Sequence, residues 1–420
     1  MAAIETKEKM DRKAIVVTIA VVLAMIVDGL DLQVLALAFP SIMKEMNISP
    51  LLVGALGTYT LIGMGLGGIS AGWASDRIGR VRVTWWSILM FTICTGVIGF
   101  SQEYWQIAVM RFLSGMGLGA VYMTGNLLVS EYVPTRIRNT VLSIVMAGWS
   151  FGYVVAALMA GSVMPAFGWR AMFLLAIVPG IICLILMYSL SDPPSWFAAR
   201  AAARAAALQG AKKENEFAAI WRDKKVRFTF IIWAVASFGL QYGYYGANTW
   251  LPSYLVKDLG VNLKNMGWFL AATYSMGIIS KPIVGWLGDK IGRRVMWVIV
   301  GLAVAIYIPF VMNYASKDNI AYLLLIFGGM YGALYAIFAT YLSESFPTAV
   351  RGTAMATSYN IGRIGSMISP LLIGWAATSY SIGVGIATCG IAYLMCALLP
   401  GIFIKEKMYD PKAVTATEAK

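Results

Sequence analysis

Twelve long apolar stretches constrain this chain more than any other feature of its sequence. A helix that crosses a bilayer needs about 20 mostly apolar residues, because the hydrocarbon core is about 30 Å thick. Hydrophobic residues make up 59% of the chain, whereas a soluble domain is roughly half apolar. We therefore predict an all-α membrane protein with twelve transmembrane helices. The predicted spans are 15–38, 52–73, 83–101, 104–126, 139–162, 169–190, 226–250, 263–286, 294–315, 320–343, 353–378 and 381–403.

The basic residues are distributed unevenly along the chain, which carries a formal net charge of +13. Five of the 33 lysines and arginines fall in loops on one side of the predicted bundle, three fall inside spans, and the others lie on the opposite side. Cytoplasmic loops are enriched in Lys and Arg, so we expect both termini in the cytoplasm and the protein in the cell inner membrane. The positive charge thus reflects orientation, and we expect no nucleic-acid partner.

The sequence offers no enzyme site. It has no histidine, and its four cysteines all lie in predicted spans, without the spacing of a zinc site or a disulfide. No pairing of a nucleophile with a base and no phosphate-binding loop is visible. We therefore expect no enzymatic activity, no metal and no cofactor, and any proton must be carried by a carboxylate.

Two motifs occur twice in the chain at one constant distance. Residues 72–80 read GWASDRIGR and residues 285–293 read GWLGDKIGR, so their aspartates are 213 positions apart (289 − 76). Residues 130–138 read SEYVPTRIR and residues 343–351 read SESFPTAVR, and their glutamates are also 213 apart (344 − 131). Two independent pairs at one offset indicate an internal duplication.

The duplication predicts two pseudo-symmetric six-helix bundles, over 1–190 and 226–420. An even number of helices in each half keeps both halves in the same orientation, as in a parallel repeat. A cytoplasmic linker over 191–225 is expected to contain a short surface helix, which is either solvated or in contact with anionic lipid.

These motifs resemble those of the major facilitator superfamily, and the resemblance covers nearly the whole chain. The segments DGLD at 28–31 and GRIG at 362–365 are similar to the aromatic acid:proton symporter family, including its nicotinate-type carriers. The chain departs from relatives at 192–196, where DPPSW stands in place of the common PESPRW. The resemblance implies the major facilitator fold and alternating access for a small organic anion and protons, and we expect a monomer.

Three charged residues of the first half lie inside predicted spans, where a charge costs at least about 2.5–3.5 kcal/mol. Asp28 and Asp31 share one face of the first helix, and Arg111 in the fourth is expected at the depth of Asp31. Two such close carboxylates do not both ionise readily in a dry site, so one of them holds a proton more tightly. We expect proton coupling here, with a salt bridge between Asp31 and Arg111. A purely structural aspartate pair is the alternative, and the glycines that follow Arg111 either pack helices or serve the same coupling.

Arg363 is expected near the middle of the eleventh span, and its first-half equivalent is Ser150 (363 − 213). A guanidinium suits a carboxylate substrate because it can bind both oxygens. The alternative is a permanent ion pair with Asp28 or Asp31. Lys281, placed near the inner end of the eighth span, is expected to extend towards lipid headgroups.

The second half replaces the first-half carboxylates with neutral hydrogen-bonding groups, since Asp28 maps to Gln241 and Asp31 to Tyr244 at the 213-residue offset. Tyrosine rings present apolar faces with polar tips, which suits an aromatic acid. The candidate substrate-binding residues are Arg363, Gln241, Tyr242, Tyr245, Asn248, Tyr331, Tyr335, Tyr359, Asn360, Asn126, Trp149 and Tyr153.

The repeated cytoplasmic motifs supply charges that can act as gates. The resemblance implies that they form ion clusters which hold one conformation and break during transport, and the alternative is that they only orient the chain in the membrane. The candidate gating residues are Asp76, Arg77, Arg80, Glu131, Arg138, Asp289, Arg293, Glu344 and Arg351.

Together these features favour a proton-coupled importer of a small carboxylate, aromatic or heteroaromatic, such as a benzoate, a hydroxybenzoate or nicotinate. Arg363 would bind the carboxylate, and Asp28 or Asp31 would bind the proton. Two alternatives stay open. A proton-driven drug efflux antiporter predicts broad specificity, and a non-transporting membrane receptor predicts binding without flux.

Overall fold

The computed structural model describes residues 10–134, 138–193, 196–197, 201, 220–406 and 408. Within these ranges the chain forms helices and no strand, which confirms the predicted all-α class. The elements are α1 (Arg12–Met46), α2 (Pro50–Ile78), α3 (Arg80–Ile98), α4 (Tyr104–Tyr132), α5 (Arg138–Ser162), α6 (Met164–Tyr188), α7 (Lys224–Ser253, continued by a π-helical turn, Tyr254–Asp258), α8 (Leu263–Ile291), α9 (Arg293–Tyr314), α10 (Ile320–Tyr331), α11 (Tyr335–Glu344), α12 (Thr348–Ser379) and α13 (Ile382–Phe403).

Every predicted span overlaps one of these helices, and the tenth is divided into α10 and α11. In the described part of the chain, nine segments are long and apolar enough to cross a membrane, with α10 and α11 counted together. The three predicted spans that do not meet this criterion are α7, α8 and α12. These helices carry Gln241, Asn248, Lys281 and Arg363. Polar residues inside a membrane almost always face protein or water, so these three helices are the ones expected to line a binding site.

The described residues form two compact units, each discontinuous in sequence. Unit 1 takes its residues from Met1–Leu32, Ile62–Ala156 and Arg170–Ala211, and unit 2 from Gln33–Leu61, Ala157–Trp169 and Lys212–Lys420. Helices α1, α2, α5 and α6 therefore each contribute to both units. The boundaries at 190 and 226 follow the sequence repeat and stay a prediction, and most of the expected linker helix lies outside the described residues.

Glycines let two helices of unit 1 approach to backbone contact. Gly29 on α1 lies directly against the carbonyl of Trp149 on α5, and Gly152 on α5 lies against the carbonyl of Ile26. A side chain at either glycine would overlap the neighbouring backbone, so the two glycines set the spacing of α1 and α5. This contact holds the segment of α1 that carries the predicted proton-binding aspartates.

The glycines of α4 also pack against neighbouring helices. Gly117 lies against the backbone of Ser87 on α3, and Gly119 lies against the backbone of Met64 on α2. Of the two interpretations that the sequence left open for these glycines, the contacts favour helix packing.

Close contacts also join the helices of unit 2. Gly161 on α5 lies against the backbone of Gly267 on α8. The indole of Trp250 on α7 donates to the carbonyl of Pro370 on α12 at 2.9 Å, and Gly54 on α2 lies beside both residues. The later part of α1, the start of α2 and the end of α5 therefore belong to a tightly packed region with α7, α8 and α12.

The starts of α3 and α9 show the sequence repeat in three dimensions. Each helix follows a glycine with positive φ, Gly79 at 114° and Gly292 at 110°, which other residues adopt only with strain. A carboxylate accepts a hydrogen bond from the first turn of each helix, Asp192 on α3 at 2.8 Å and Glu406 on α9 at 2.9 Å. Negative charge at a helix N-terminus is stabilising, so the same device anchors both repeats.

The tenth span is interrupted at residues 332–334, between α10 and α11. The turn is closed by tight hydrogen bonds three residues apart, from Ala333 to the carbonyl of Met330 (3.0 Å) and from Tyr335 to that of Gly332 (3.3 Å). Interrupted helices at mid-membrane depth commonly line binding sites. The break places Tyr331 and Tyr335 on either side of Gly332.

The contact between α1 and α5 can be tested with one methyl group. We expect Gly29→Ala to lower the thermal stability of the purified protein, because overpacking of this kind typically costs about 1–3 kcal/mol. Gly352→Ala is the matched control, since nothing lies within 4 Å of a Cβ at that helical position. Equal melting temperatures for the two variants would show that Gly29 does not set the helix spacing.

Candidate functional site

The ion pair expected between Asp31 and Arg111 is present and fully buried in unit 1. The two side chains are 1% and 0% exposed, and Arg111 Nη1 lies 3.1 Å from Asp31 Oδ2. The hydroxyl of Thr95 on α3 donates to the other carboxylate oxygen, Oδ1, at 2.5 Å. The ring of Phe173 lies 4.8 Å from the Arg111 guanidinium carbon. The charge of Arg111 is therefore balanced by the Asp31 carboxylate in a fully buried site.

Arg111 uses only part of its hydrogen-bonding capacity. Its Nη1 also donates to the Asp31 carbonyl at 3.4 Å, whereas no group in the described ranges bonds to Nε or Nη2. A buried donor without a partner costs about 1–3 kcal/mol. The Asp31 carboxylate is thus the main group that compensates the buried charge of Arg111. Protonation of this carboxylate would therefore change the stability of the ion pair.

Asp28 lies one turn before Asp31 on α1 and is completely buried. It precedes Gly29, whose contact with α5 was described above. On that helix the rings of Trp149 and Tyr153 stack 4.6 Å apart. The predicted proton-coupling residues and these two candidate aromatic residues therefore all belong to unit 1.

Four tyrosines of unit 2 form a tyrosine cluster around the break in the tenth span. Tyr244 on α7 stacks on Tyr331 with the ring centroids 5.2 Å apart and the planes 9° apart. The same ring packs edge-on against Tyr335 at 5.1 Å and Tyr245 at 5.4 Å. No described group bonds to the buried hydroxyl of Tyr335. The cluster offers flat apolar faces and a polar tip, which suits a flat unsaturated ligand.

A hydrogen-bond network extends from the cluster to α1. Tyr331 donates its hydroxyl to Asn248 Oδ1 at 3.1 Å. The amide of Gln33 on α1 donates to the Tyr274 hydroxyl on α8 at 2.5 Å and approaches the Asn248 carbonyl at 3.5 Å. Sequence reasoning identified Asn248 and Tyr331 but missed Gln33 and Tyr274. One sequence feature could have identified Gln33: it is an amide side chain inside a predicted span, two residues after Asp31.

Arg363 lies next to the cluster on α12, with its guanidinium carbon 5.7 Å from the Tyr359 ring. Gln241 on α7 donates to the Tyr359 carbonyl at 2.8 Å, and Gly362 lies close against Ser237 and the Gln241 amide. Gln241 thus fixes α12 against α7. This contact holds the turn of α12 that precedes Arg363, and ligand binding by Gln241 stays a prediction.

Three further candidates form other contacts. The Tyr242 hydroxyl bonds to Thr388 on α13 at 3.0 Å. The amides of Asn126 and Asn360 donate to carbonyls four residues earlier in their own helices, at 2.7 and 2.8 Å. That these three residues bind ligand stays a prediction.

Lys281 lies at the tyrosine cluster. A methyl group placed on Gly332 would be 3.7 Å from Lys281 Cε and 3.3 Å from Tyr244 Cε2, so the lysine stem and the tyrosine ring both border the helix break. This differs from the headgroup contact expected from the sequence. The reason is that α8 continues ten residues past Lys281, to Ile291, so Lys281 is deeper than predicted.

The candidate gating residues form an ion pair in each repeat. Arg80 contacts Glu131 at 3.1 Å, and Arg293 contacts both Glu344 and Asp289, the latter at 2.9 Å. Two further predicted members form other contacts.

Arg77 stacks over Trp73 at 3.7 Å, and Arg351 donates to the Phe346 carbonyl at 3.2 Å. The Arg77 guanidinium thus covers an exposed indole on the preceding turn, and its role as a gate stays a prediction. The side chains of Asp76 and Arg138 lie outside the described part of the chain.

Comparison with known proteins identifies relatives over nearly the full length. The sequence profile of the Major Facilitator Superfamily matches residues 21–370. The cis,cis-muconate transport protein of Acinetobacter baylyi is 45% identical over 390 residues, which cover 93% of this chain and 94% of that one. A putative niacin/nicotinamide transporter of Bacillus subtilis is 32% identical over 391 residues, with 90% and 94% covered. A crystal structure of a D-xylose-proton symporter, 20% identical, aligns with a TM-score of 0.77 over 94% and 99% of the two chains. The match and the alignment confirm the predicted fold.

The ion pair makes a quantitative prediction for stability. We expect Asp31→Asn to lower the free energy of unfolding by about 3–5 kcal/mol, because Arg111 would stay buried without its carboxylate. The double variant Asp31→Asn/Arg111→Gln should recover much of this loss, as followed by thermal unfolding in detergent. If the single and double variants melt at the same temperature, the two side chains do not compensate each other.

Proposed function

The chain belongs to the major facilitator superfamily of membrane transporters, and from this premise we propose that it imports a small organic carboxylate together with protons. It is a multi-pass membrane transporter and not an enzyme. The proposed substrate class and proton coupling rest on the residues of this chain and on the substrates in the names of its relatives. The observation that carries it is a guanidinium, Arg363, beside a cluster of tyrosine rings in the most polar helices of the chain.

The relatives support a carboxylate substrate. The names of the two relatives above refer to muconate, an open-chain unsaturated diacid, and to niacin, an aromatic acid. Both molecules are small and flat and carry a carboxylate. Arg363 would bind the carboxylate through two oxygens, and the faces of Tyr244 and Tyr335 would contact the unsaturated skeleton. The aromatic or heteroaromatic acids expected from the sequence remain within this proposal.

Asp28 and Asp31 would carry the proton. A carboxylate in a buried ion pair has two well-defined states, ionised with Arg111 held, and neutral with Arg111 released. The two states differ in charge inside the membrane, so each favours a different arrangement of the surrounding helices. Asp28, completely buried one turn away, would respond to the same change because like charges at this distance disfavour joint ionisation.

The cytoplasmic ion pairs would act as gates in an alternating-access cycle. Arg80 with Glu131, and Arg293 with Glu344, are the same contact in the two repeats. The side chains of both pairs are only 10–20% exposed, so each pair would stabilise the conformation in which it forms and would have to break in every cycle. We propose cytoplasmic termini, an inner-membrane location and a functional monomer.

Uptake into proteoliposomes tests the proposal. We expect an inward proton gradient to drive uptake of at least one acid from a labelled panel of benzoate, 4-hydroxybenzoate, nicotinate and muconate, and not of glucose. Uptake should rise as the outside is acidified, because protons enter with the substrate. Arg363→Ala should lower the apparent affinity about 10–100-fold, the range of a lost charge-assisted pair.

Arg222→Ala is the control, since this arginine of unit 2 is exposed. Uptake that does not depend on the proton gradient would show that transport is not coupled to protons. Acid uptake that is unchanged in Arg363→Ala would show that Arg363 does not bind the substrate carboxylate. Gradient-driven efflux of bulky cations, with no acid uptake, would replace the importer with a drug antiporter, and binding without flux would indicate a receptor.

A further inference from the structure

The last two turns of α2 and of α8 each carry a cation stacked on an exposed indole. The Arg77 guanidinium carbon lies 3.7 Å from the centre of the Trp73 ring, and Lys290 Nζ lies 4.1 Å from that of Trp286. The two tryptophans are 65% and 55% exposed. The pairs are related by the 213-residue offset of the internal repeat (286 − 73 and 290 − 77). The same exposed arrangement thus occurs once in unit 1 and once in unit 2.

Each pair stands at the end of a stripe of exposed apolar side chains. The α2 stripe consists of Leu66, Ile69, Trp73 and Arg77, and the α8 stripe of Ile279, Ile283, Trp286 and Lys290. Residues three and four apart share one face of a helix, so the apolar side chains, the indole and the cation lie in one line. Each stripe covers 11 positions (77 − 66 and 290 − 279), or about 16 Å of helix. That length is close to one leaflet, since the whole hydrocarbon core is about 30 Å thick.

The cations of both stripes keep their positive charge at the surface. Both are exposed, and none of the ion pairs in the described part of the chain includes Arg77 or Lys290. The neighbouring Asp289 contacts Arg293 at 2.9 Å, and neither stripe contains an acidic residue. A contact with the face of an indole uses no N–H group of the cation as a hydrogen-bond donor. These groups can therefore donate to an acidic ligand.

A phospholipid has its groups in the same order as each stripe. Its acyl chain, its glycerol region and its phosphate follow one another along the membrane normal, as the apolar side chains, the indole and the cation follow one another along the helix. Tryptophan prefers the interface between hydrocarbon and water, and basic side chains near the cytoplasmic surface attract anionic lipids. Charge complementarity favours a lipid with net negative charge over a zwitterionic one, because the ammonium of the latter would meet no acidic side chain on the stripe.

We propose that each stripe binds one anionic phospholipid, with an acyl chain along the apolar residues and the phosphate on Arg77 or Lys290. This inference goes beyond transport and does not depend on the substrate. It uses the cytoplasmic location proposed for these helix ends, because anionic lipids are concentrated in that leaflet. Bound lipid would hold the ends of α2 and α8 at a fixed depth in the membrane.

Native mass spectrometry of the purified, delipidated full-length protein tests the proposal, because it counts bound lipid molecules. The probes are phosphatidylglycerol and phosphatidylcholine with identical acyl chains. We expect wild type to bind two molecules of phosphatidylglycerol, each about fivefold more tightly than phosphatidylcholine, which is the effect of one basic residue at the surface. Arg77→Gln and Lys290→Gln should each keep one preferential site. In the double variant the two lipids should bind equally.

Matched variants separate the stripes from general surface charge. Arg82→Gln and Lys224→Gln each remove an exposed basic residue outside the stripes, one from unit 1 and one from unit 2, and both should keep two preferential sites. Arg77→Lys and Lys290→Arg should also keep them. The measurement records lipid binding and not transport, so a gating role of Arg77 does not affect it.

Four results would overturn the proposal. Equal binding of the two lipids by wild type would leave the indoles as interfacial anchors only. A preference that persists in the double variant, or that Arg82→Gln lowers as much, would indicate general attraction by a basic surface. Displacement of phosphatidylglycerol by inorganic phosphate would indicate a site for the free ion. A dimer that dissociates in Trp73→Ala would show that a second copy of the chain covers the stripe.

Folding does not limit the test, because both cations are exposed. Each variant is checked for a single symmetric peak in size-exclusion chromatography before lipid is added. Arg77→Met or Lys290→Met replaces a glutamine variant that aggregates, since methionine also removes the charge and keeps a long unbranched side chain.

Discussion

The cost of holding charge in hydrocarbon is the constraint on which the rest of this structure depends. Each interior charge needs a compensating group within reach. In unit 1 the compensation is internal, because Asp31 and Arg111 neutralise each other in complete burial. In unit 2 the interior cations of α8 and α12 border an aromatic surface. Under the proposed function, the first arrangement would hold or release the proton and the second would bind the anion.

Features that depend only on position along the chain could be predicted from the sequence. Hydropathy located the spans, since a bilayer selects stretches of fixed length. The 213-residue repeat paired Arg80 and Glu131 with Arg293 and Glu344, and the structure places both pairs in contact. The salt bridge between Asp31 and Arg111 could be predicted from depth alone, because the number of residues between each of them and the same membrane surface gives its depth along the helix. These arguments need only position along a helix of known rise.

Features that depend on the direction of a side chain could not be predicted in this way. The direction of Lys281 was missed because a long stem reaches either a headgroup or the interior, and the end of α8 was placed too early. The interruption at Gly332 lies in an unbroken apolar stretch, which periodicity cannot distinguish from a continuous helix. Asp192 and Glu406 cap helices that are more than 100 residues distant in sequence, and no local pattern announces such a cap. Gln241 has the expected polarity but uses it to hold α12.

Under the proposal that Asp31 takes up a proton, helix α1 provides a physical route by which this event would affect the hydrogen bonds of Gln33. Asp31 contacts Arg111 and Thr95, whereas Gln33 contacts Tyr274 and approaches Asn248. Two residues on a helix are about 3 Å apart along its axis and point in nearly opposite directions. No glycine or proline separates them, so a shift of α1 that follows protonation of Asp31 moves Gln33 by a similar amount. Coupling requires one element whose position both sites bias, and α1 meets that requirement because the proposed proton site and the hydrogen-bond network of Gln33 belong to the same turn of one helix.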